Sequence, residues 1–168
     1  ETVIDYLNKY GGENGKATFS VGQAEDEMAA VGMVLGAGWA GARSMTSTAG
    51  PGVSLMNEFI GLGYFAELPG VIWDIQRVGP STGLPTRTAQ GDVLQAFFCS
   101  HGDTKHLVLF PSSVNEGCEF ATAALDLAQM FQTPLLILSD PDHATNTRMS
   151  EPFNKPQNAT HQRPLCET

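Results

Sequence analysis

Apolar residues in this chain fall into short segments of high strand propensity and longer segments with helical spacing. The short segments predict strands at residues 17–21, 43–48, 70–75, 106–110 and 134–139. The longer segments predict helices at residues 3–10, 25–42, 53–66, 94–99 and 112–131. Strand and helix alternate, and strands that are apolar throughout are typical of parallel sheets covered on both faces. We therefore predict an α/β fold with a parallel sheet flanked by helices.

The length of 168 residues suits one domain with a sizeable core. From Pro141 onwards the chain becomes polar and contains four prolines, a composition that disfavours a packed core. We predict a single domain over residues 1–140 and a linker or disordered segment over residues 141–168. Several glycines within the helix predicted at 25–42 weaken a helix, so we expect another backbone to pack closely against them.

The net charge of −9 disfavours nucleic acid as a partner, because phosphate binding needs clustered Lys and Arg. Since no apolar run reaches about 18 residues, the sequence also predicts no membrane span. Cys99, Cys118 and Cys166 lie far apart, with no CxxC or CxxH pair, so we predict ordinary thiols and no metal site. The odd number of cysteines favours a reducing cytoplasm.

Three polar or glycine-rich segments follow predicted strands, at residues 21–27, 46–52 and 74–83. In parallel sheets, ligands bind beyond the carboxyl ends of the strands, so these segments are expected to line one cleft. The segment AGPG at residues 49–52 precedes a helix and is suited either to phosphate binding or, as the local pattern favours, to a tight strand-to-helix turn. The stretch from Asp74 to Asp92 has almost nothing to bury beside a core strand, which indicates a ligand-holding role.

The residues from Gln23 to Asp92 carry a specific combination of motifs: AEDE at 24–27, TAGPGVSLM at 48–56 and QRVGPSTGLPTRTAQGD at 76–92. This combination resembles the alpha subunit of 2-oxoacid:ferredoxin oxidoreductases, above all the 2-oxoglutarate branch. The similarity runs from about Glu1 to Phe153. It implies the pyrimidine-binding (Pyr) domain of a thiamine diphosphate enzyme, over residues 1–140.

The resemblance assigns roles to individual residues. It implies that Glu27 is the catalytic carboxyl group that hydrogen-bonds N1′ of the thiamine aminopyrimidine, while Glu25 is a surface or capping acid. It implies that Arg77 and Thr86 bind the substrate, and an arginine fork suits the carboxylate of an oxoacid. The cofactor-binding residues that it implies are Glu27, Thr48, Gly50, Pro51 and Gly52.

The resemblance also implies an assembly and a reaction. The complete enzyme would oxidatively decarboxylate a 2-oxoacid, with coenzyme A as acyl acceptor and ferredoxin as electron acceptor. Thiamine diphosphate would be shared with a beta subunit in a heterodimer, and that partner would carry the diphosphate-binding GDG motif, Mg²⁺ and the iron–sulfur clusters. The alternatives are a pyruvate or branched-chain 2-oxoacid specificity, or a non-catalytic domain that scaffolds a partner subunit.

The sequence departs from the family pattern at both ends. Family members carry a YPITP-like segment before the point at which this chain begins, and the first residue here is Glu1. We therefore expect the chain to be a fragment. Residues 139–153 follow the family only loosely, and residues 154–168 have no counterpart in it.

Overall fold

A computed structural model describes residues 16–153, together with Asp5, Lys9, Gly12 and Glu13. The strands are β1 Gly12–Glu13, β2 Lys16–Ala17, β3 Met45–Thr48, β4 Gly70–Ile75, β5 Arg77–Val78, β6 Leu84–Thr88, β7 Leu107–Leu109 and β8 Pro134–Ser139. The helices are α1 Glu27–Trp39, α2 Gly50–Phe65, α3 Val93–Phe97, α4 Val114–Phe131 and α5 Pro141–Thr145. The helix predicted at 3–10 falls almost entirely outside the described residues.

The predicted parallel sheet is confirmed. Four strands pair in parallel in the order β3-β4-β8-β7. The two central strands, β4 and β8, have the bounds predicted from the sequence and pair along their whole length, from Gly70–Pro134 to Ile75–Ser139. Because parallel strands end at the same edge of a sheet, Thr48, Ile75 and Ser139 bring the ends of three strands together.

The core lies on both faces of this sheet. On β8, Leu136 and Leu138 pack with the buried residues of α1 and α2. The alternate residues Leu135 and Ile137 pack with Ala124 and Ala128 of α4 on the opposite face. Side chains alternate between the faces of a strand, so a strand covered on both faces needs an apolar residue at nearly every position. This accounts for the apolar run of β8, whose residues are all buried and of which only Ser139 is polar.

Two strand predictions need correction. The strand predicted at 17–21 is restricted to Lys16–Ala17, which pairs with β1 in an antiparallel hairpin separate from the parallel sheet. The residues that follow it, Thr18 to Val21, are mostly exposed and form no strand. The strand β3 is not buried on both faces, because it is an edge strand whose residues alternate between exposed and half-buried.

The helix ends follow local capping chemistry. Asp26 accepts a hydrogen bond from Ala29 N at 2.7 Å and starts α1, and the Ser113 hydroxyl accepts one from Glu116 N at 3.2 Å and caps α4. Helix α2 begins at Gly50, three residues earlier than predicted. Its cap Ala49 has an extended backbone, and Pro51 lies in the first turn, where the missing N–H costs nothing.

The segment after β8 is not wholly irregular. Asp140 accepts a hydrogen bond from His143 N at 2.9 Å and caps the short helix α5. The predicted boundary at residue 140 between domain and linker remains a prediction. Among the described residues, no helix has the length and apolar character needed to span a bilayer.

The glycines of α1 differ in their surroundings. A Cβ atom on buried Gly38 would overlap the carbonyl oxygen of Pro69 and lie 3.3 Å from its carbonyl carbon. This is the close backbone approach expected from the sequence. Around exposed Gly36, by contrast, nothing lies within 4 Å of a Cβ position.

Alanine substitutions at these two glycines should therefore have opposite effects on stability. Gly36→Ala should raise Tm, because alanine favours a helix by about 1 kcal/mol over glycine. Gly38→Ala gains the same preference but must displace a backbone carbonyl, and overpacking of this kind costs about 1–3 kcal/mol. Thermal unfolding of both variants tests this, and a Gly38→Ala protein as stable as Gly36→Ala would contradict it.

Candidate active-site cleft

A cleft of about 750 Å³ opens beyond the carboxyl ends of the central strands. Its walls are the start of α2, the β5–β6 hairpin and the segment that leads into α3. The lining residues are Gly50, Pro51, Ser54, Leu55, Arg77, Val78, Gly79, Pro80, Ser81, Thr82, Ala89, Gly91, Asp92 and Gln95. This volume and position are typical of small-molecule sites in α/β proteins.

The polar stretch from Asp74 to Asp92 supplies one side of the cleft. It forms the antiparallel hairpin of β5 and β6, in which Arg77 pairs with Thr88. The turn needs glycine at Gly83, where φ is +56° and a Cβ would overlap the carbonyl oxygen of Val78. This stretch forms a wall of the cleft and not part of the core, which explains why it contains few core residues.

Arg77 is the cation of this cleft wall. Its side chain is half-buried, and its Nε is buried with no hydrogen-bond partner among the described residues. A buried guanidinium N–H without an acceptor is costly, so this position favours an anionic ligand. The predicted substrate-binding role of Arg77 fits these surroundings.

Glu27, Thr48 and Gly52 meet at a second point near the start of α2. A Cβ atom on Gly52 would overlap the Thr48 hydroxyl and lie 2.9 Å from Cγ of Glu27. Glycine at this position therefore leaves room for both side chains beside the helix. Glu27 is half-buried as the first residue of α1, whereas Glu25 is exposed and the helix is capped by Asp26.

The predicted site residues are thus divided between two places. Arg77, Gly50 and Pro51 line the cleft, while Glu27, Thr48 and Gly52 form a cluster outside the cleft-lining residues. Thr86 is exposed on β6 and is not among the cleft-lining residues, which include Thr82. The role of Thr86 stays a prediction without support from the cleft.

Two aspartates of the cleft region were not among the predicted site residues. Asp74 is fully buried on β4, and burial followed by the charge and hydrogen bonding of Asp92 raises its pKa to about 7. Burial also raises the pKa of Asp92. The signal in the sequence was an aspartate inside GVIWDI, since a carboxyl group is rarely placed in a core strand.

The cysteines of the described residues are free thiols. Burial raises the pKa of Cys99 to about 11, so this thiol is not a reactive thiolate near neutral pH. Cys118 is half-buried, and Cys166 lies outside the described residues. Within the part of the chain that the structure describes, no three His, Cys, Asp or Glu side chains are grouped as metal ligands.

A parallel α/β sheet with a glycine-rich helix start and a cleft at its carboxyl edge defines an open α/β domain with a small-molecule cleft. Residues 2–165 match the family described as "Pyruvate flavodoxin/ferredoxin oxidoreductase, thiamine diP-bdg". The chain belongs to this family. The resemblance to 2-oxoacid:ferredoxin oxidoreductases and the thiamine diphosphate-binding fold class are therefore confirmed.

Individual relatives agree with this family. The chain is 47% identical over 118 residues to the 2-oxoglutarate synthase subunit KorA of Methanocaldococcus jannaschii, covering 70% of this chain and 32% of the relative. It is 46% identical over 134 residues to the 2-oxoglutarate oxidoreductase subunit KorA of Mycobacterium tuberculosis, covering 80% of this chain and 20% of the relative. The chain thus spans a third or less of the length of these relatives.

A solved structure has the same fold. It is the 2-oxoglutarate:ferredoxin oxidoreductase from Magnetococcus marinus with 2-oxoglutarate, coenzyme A and succinyl-CoA bound. The TM-score is 0.76 at 42% sequence identity, and the match covers 84% of this chain and 24% of that chain.

Gly52→Ala should disturb the cluster of Glu27 and Thr48 without unfolding the domain, because the overlapped atoms belong to side chains that can rotate. We expect a weaker affinity for thiamine diphosphate in the assembled enzyme and a small change in Tm. Gly61→Ala is the matched control, since it lies on the same helix and overlaps another side-chain hydroxyl, that of Ser100. Equal loss of cofactor affinity in both variants would contradict the prediction.

Proposed function

We propose that this chain is the pyrimidine-binding part of an alpha subunit in a 2-oxoacid:ferredoxin oxidoreductase, with 2-oxoglutarate as the preferred substrate. The observation that carries the proposal is the Nε of Arg77, which has no partner among the described residues and lies in a cleft shared with Gly50 and Pro51. A half-buried cation in a small-molecule cleft suits the carboxylate of an oxoacid. The 2-oxoglutarate enzymes among the relatives support this substrate over pyruvate or a branched-chain oxoacid.

The residues around Gly52 fit thiamine diphosphate. The absence of a side chain at Gly52 lets the side chains of Glu27 and Thr48 lie against the start of α2, where they would present polar groups to the cofactor. When bound, thiamine diphosphate supplies the carbon nucleophile that adds to a 2-oxo carbonyl. Glu27 would hold a proton against the aminopyrimidine nitrogen, while Gly50, Pro51 and Gly52 would flank the ring.

Arg77 would orient the substrate. Its guanidinium offers N–H donors in a planar fork, and a carboxylate accepts two of them in parallel. Leu55 and Val78 line the same cleft and would help to exclude water from the bound oxoacid. The domain thereby supplies orientation and charge, and the cofactor supplies the reactive carbon.

The remaining parts of the reaction would come from the assembled enzyme. We propose that a beta subunit carries the diphosphate-binding domain with Mg²⁺ and the iron–sulfur clusters, in a cytoplasmic heterodimer. Coenzyme A would accept the acyl group and ferredoxin the electrons. The acidic charge of this chain disfavours direct docking of an acidic ferredoxin on its own surface, so electron transfer is assigned to the partner.

In the assembled enzyme, Glu27→Gln should keep the fold and most of the cofactor affinity but slow deuterium exchange at C2 of thiamine diphosphate. A positioned acid–base group contributes about 10²–10⁴-fold to a rate. Glu25→Gln is the matched control, because Glu25 is exposed two residues earlier in the chain. If C2 exchange is unchanged in Glu27→Gln, Glu27 is not the catalytic carboxyl group.

Arg77→Lys should lower kcat/KM for the oxoacid although the positive charge is kept, since lysine lacks the planar fork. Loss of one charge-assisted hydrogen bond corresponds to about 10- to 150-fold. Cofactor Kd should stay near wild type. Arg87→Lys is the matched control, because Arg87 is exposed on the same hairpin.

The kinetics should be measured with both 2-oxoglutarate and pyruvate, alongside Tm. A loss of stability with unchanged kcat/KM would assign Arg77 to the fold and not to the substrate. It would favour the alternative in which this domain scaffolds a partner subunit. A wild-type kcat/KM that is higher with pyruvate than with 2-oxoglutarate would overturn the proposed substrate preference.

A further inference from the structure

Asp74 and Asp92 stand at the two ends of the polar stretch that forms the cleft wall. Asp74 is 0% exposed, and it pairs with Thr48 of β3 and Leu138 of β8 in the sheet register. Among the described residues, no N–H or O–H group donates a hydrogen bond to either of its carboxyl oxygens. An ionised carboxylate placed in this way would be strongly destabilising.

Asp92 occupies the position before α3 but does not cap this helix. The aspartates that precede α1 and α5, Asp26 and Asp140, both accept a hydrogen bond from a helix N–H. The side chain of Asp92 makes no such bond. It turns inwards against the start of α2, where its Oδ2 is buried without a hydrogen-bond partner in the described part of the chain, and its carboxyl group raises the pKa of Asp74.

This inward position ties Asp92 to the surrounding elements. Its N–H donates to Oε1 of buried Gln76 at 3.1 Å, and the N–H of Gln76 donates to the carbonyl oxygen of Ser139 at 2.8 Å. A Cβ atom on Gly50 would lie 2.5 Å from Asp92 Oδ2, so glycine is needed for the carboxyl group to sit against the start of α2. Asp92 therefore joins the hairpin, β8 and α2.

Two carboxyl groups in contact are stable only when one of them holds a proton, because two negative charges in a buried site repel. Burial, together with Asp92, raises the pKa of Asp74, and the hydrogen bond between them acts on Asp92 in the opposite direction. Asp74 therefore holds the proton and donates the hydrogen bond to Asp92. The elements around Asp74 also carry other charged side chains, and the charge that acts on Asp74 is that of Asp92. These side chains are Glu27 on α1, Glu58 on α2, Arg77 and Arg87 on the hairpin, Glu116, Glu119 and Asp126 on α4, and Asp140.

We propose that Asp74 and Asp92 share one proton across the neck of the loop between them, and that this proton holds the hairpin and the start of α2 in position. The hydrogen bond closes the loop at its base. Arg77 lies three residues after Asp74, so the closed neck fixes the point from which its side chain enters the cleft. The pair consists of positioning residues, and its effect on the substrate rests on the proposed function.

The dependence on pH has a defined sign. Asp74 has a higher pKa in the folded protein than the value of about 3.9 expected when unfolded. The stabilising proton is therefore fully present at low pH and is lost as the pH rises through about 7.

Asp74→Asn mimics the protonated acid, because its amide donates to Asp92 at every pH. Its Tm advantage over wild type should grow between about pH 4 and about pH 7 and then level off.

The test is hydrogen–deuterium exchange of the hairpin amides and of the Asp92 amide, in the assembled enzyme without substrate. Wild type, Asp74→Asn and Asp74→Ala are compared at each pH, so that the intrinsic pH dependence of exchange cancels. Asp103→Asn, an exposed carboxyl elsewhere, is the control. Infrared spectroscopy provides a second readout. Wild type should show the carbonyl band of a protonated carboxyl group, and this band should be missing in Asp74→Asn.

At about pH 4, wild type and Asp74→Asn should be equally protected. The difference should grow as the pH rises and level off above about pH 7, where wild type should exchange at least about tenfold faster than Asp74→Asn, the equivalent of one charge-assisted hydrogen bond. Asp74→Ala should exchange fast throughout. If Asp74→Ala fails to fold, the comparison of wild type with Asp74→Asn still decides the matter.

A pH-independent ratio between wild type and Asp74→Asn, or the absence of a protonated carboxyl band that Asp74→Asn removes, would overturn the proposal. Neither measurement uses turnover. An enzyme that shows the shared proton but does not act on any 2-oxoacid would refute the proposed function and leave the shared proton established.

Discussion

The parallel pairing of β4 with β8 is the constraint on which the rest of this structure depends. Their six register pairs run from Gly70 with Pro134 to Ile75 with Ser139, and side chains on both faces of β8 are buried. This pairing brings the ends of both strands to one edge, beside the end of β3. The backbone of the loop residue Gln76 continues it by donating to Ser139. The cleft exists because these ends meet.

The same burial explains which parts of the fold were predictable. The bounds of β4 and β8 follow from the sequence because a strand covered on both faces needs an apolar residue at nearly every position. The segment at 17–21 has a strand-like composition but pairs with no strand of the parallel sheet, and pairing between distant segments leaves no local signal in the sequence. The glycines of the helix predict that another backbone packs closely against it, but that Gly38 contacts Pro69 depends on the tertiary fold.

The site was predictable where a motif coincides with a strand end. Arg77 and Gly50 follow consecutive sheet strands along the chain, and both line the cleft. Thr86 shares the motif, but it lies on the exposed hairpin strand β6, where burial rises only at Thr88. The surroundings of an exposed hairpin face depend on whatever packs against it, which a motif in one chain does not specify. Asp74 lies within the apolar segment that predicts β4, so the pattern does not single it out as a site residue.

The positions of Arg77 and of the Asp74–Asp92 pair have opposite electrostatic consequences for the cleft. The Nε of Arg77, which has no partner in the described part of the chain, favours an anion, while two ionised aspartates at the neck of the same loop would repel it. Sharing a proton leaves the pair with one negative charge instead of two, and the remaining charge on Asp92 stays engaged with its partner. A chain with a net charge of −9 thereby keeps a local site suited to a carboxylate. The shared proton thus has two effects: it keeps the loop closed, and it lowers the negative charge beside the cleft so that an anionic ligand can bind.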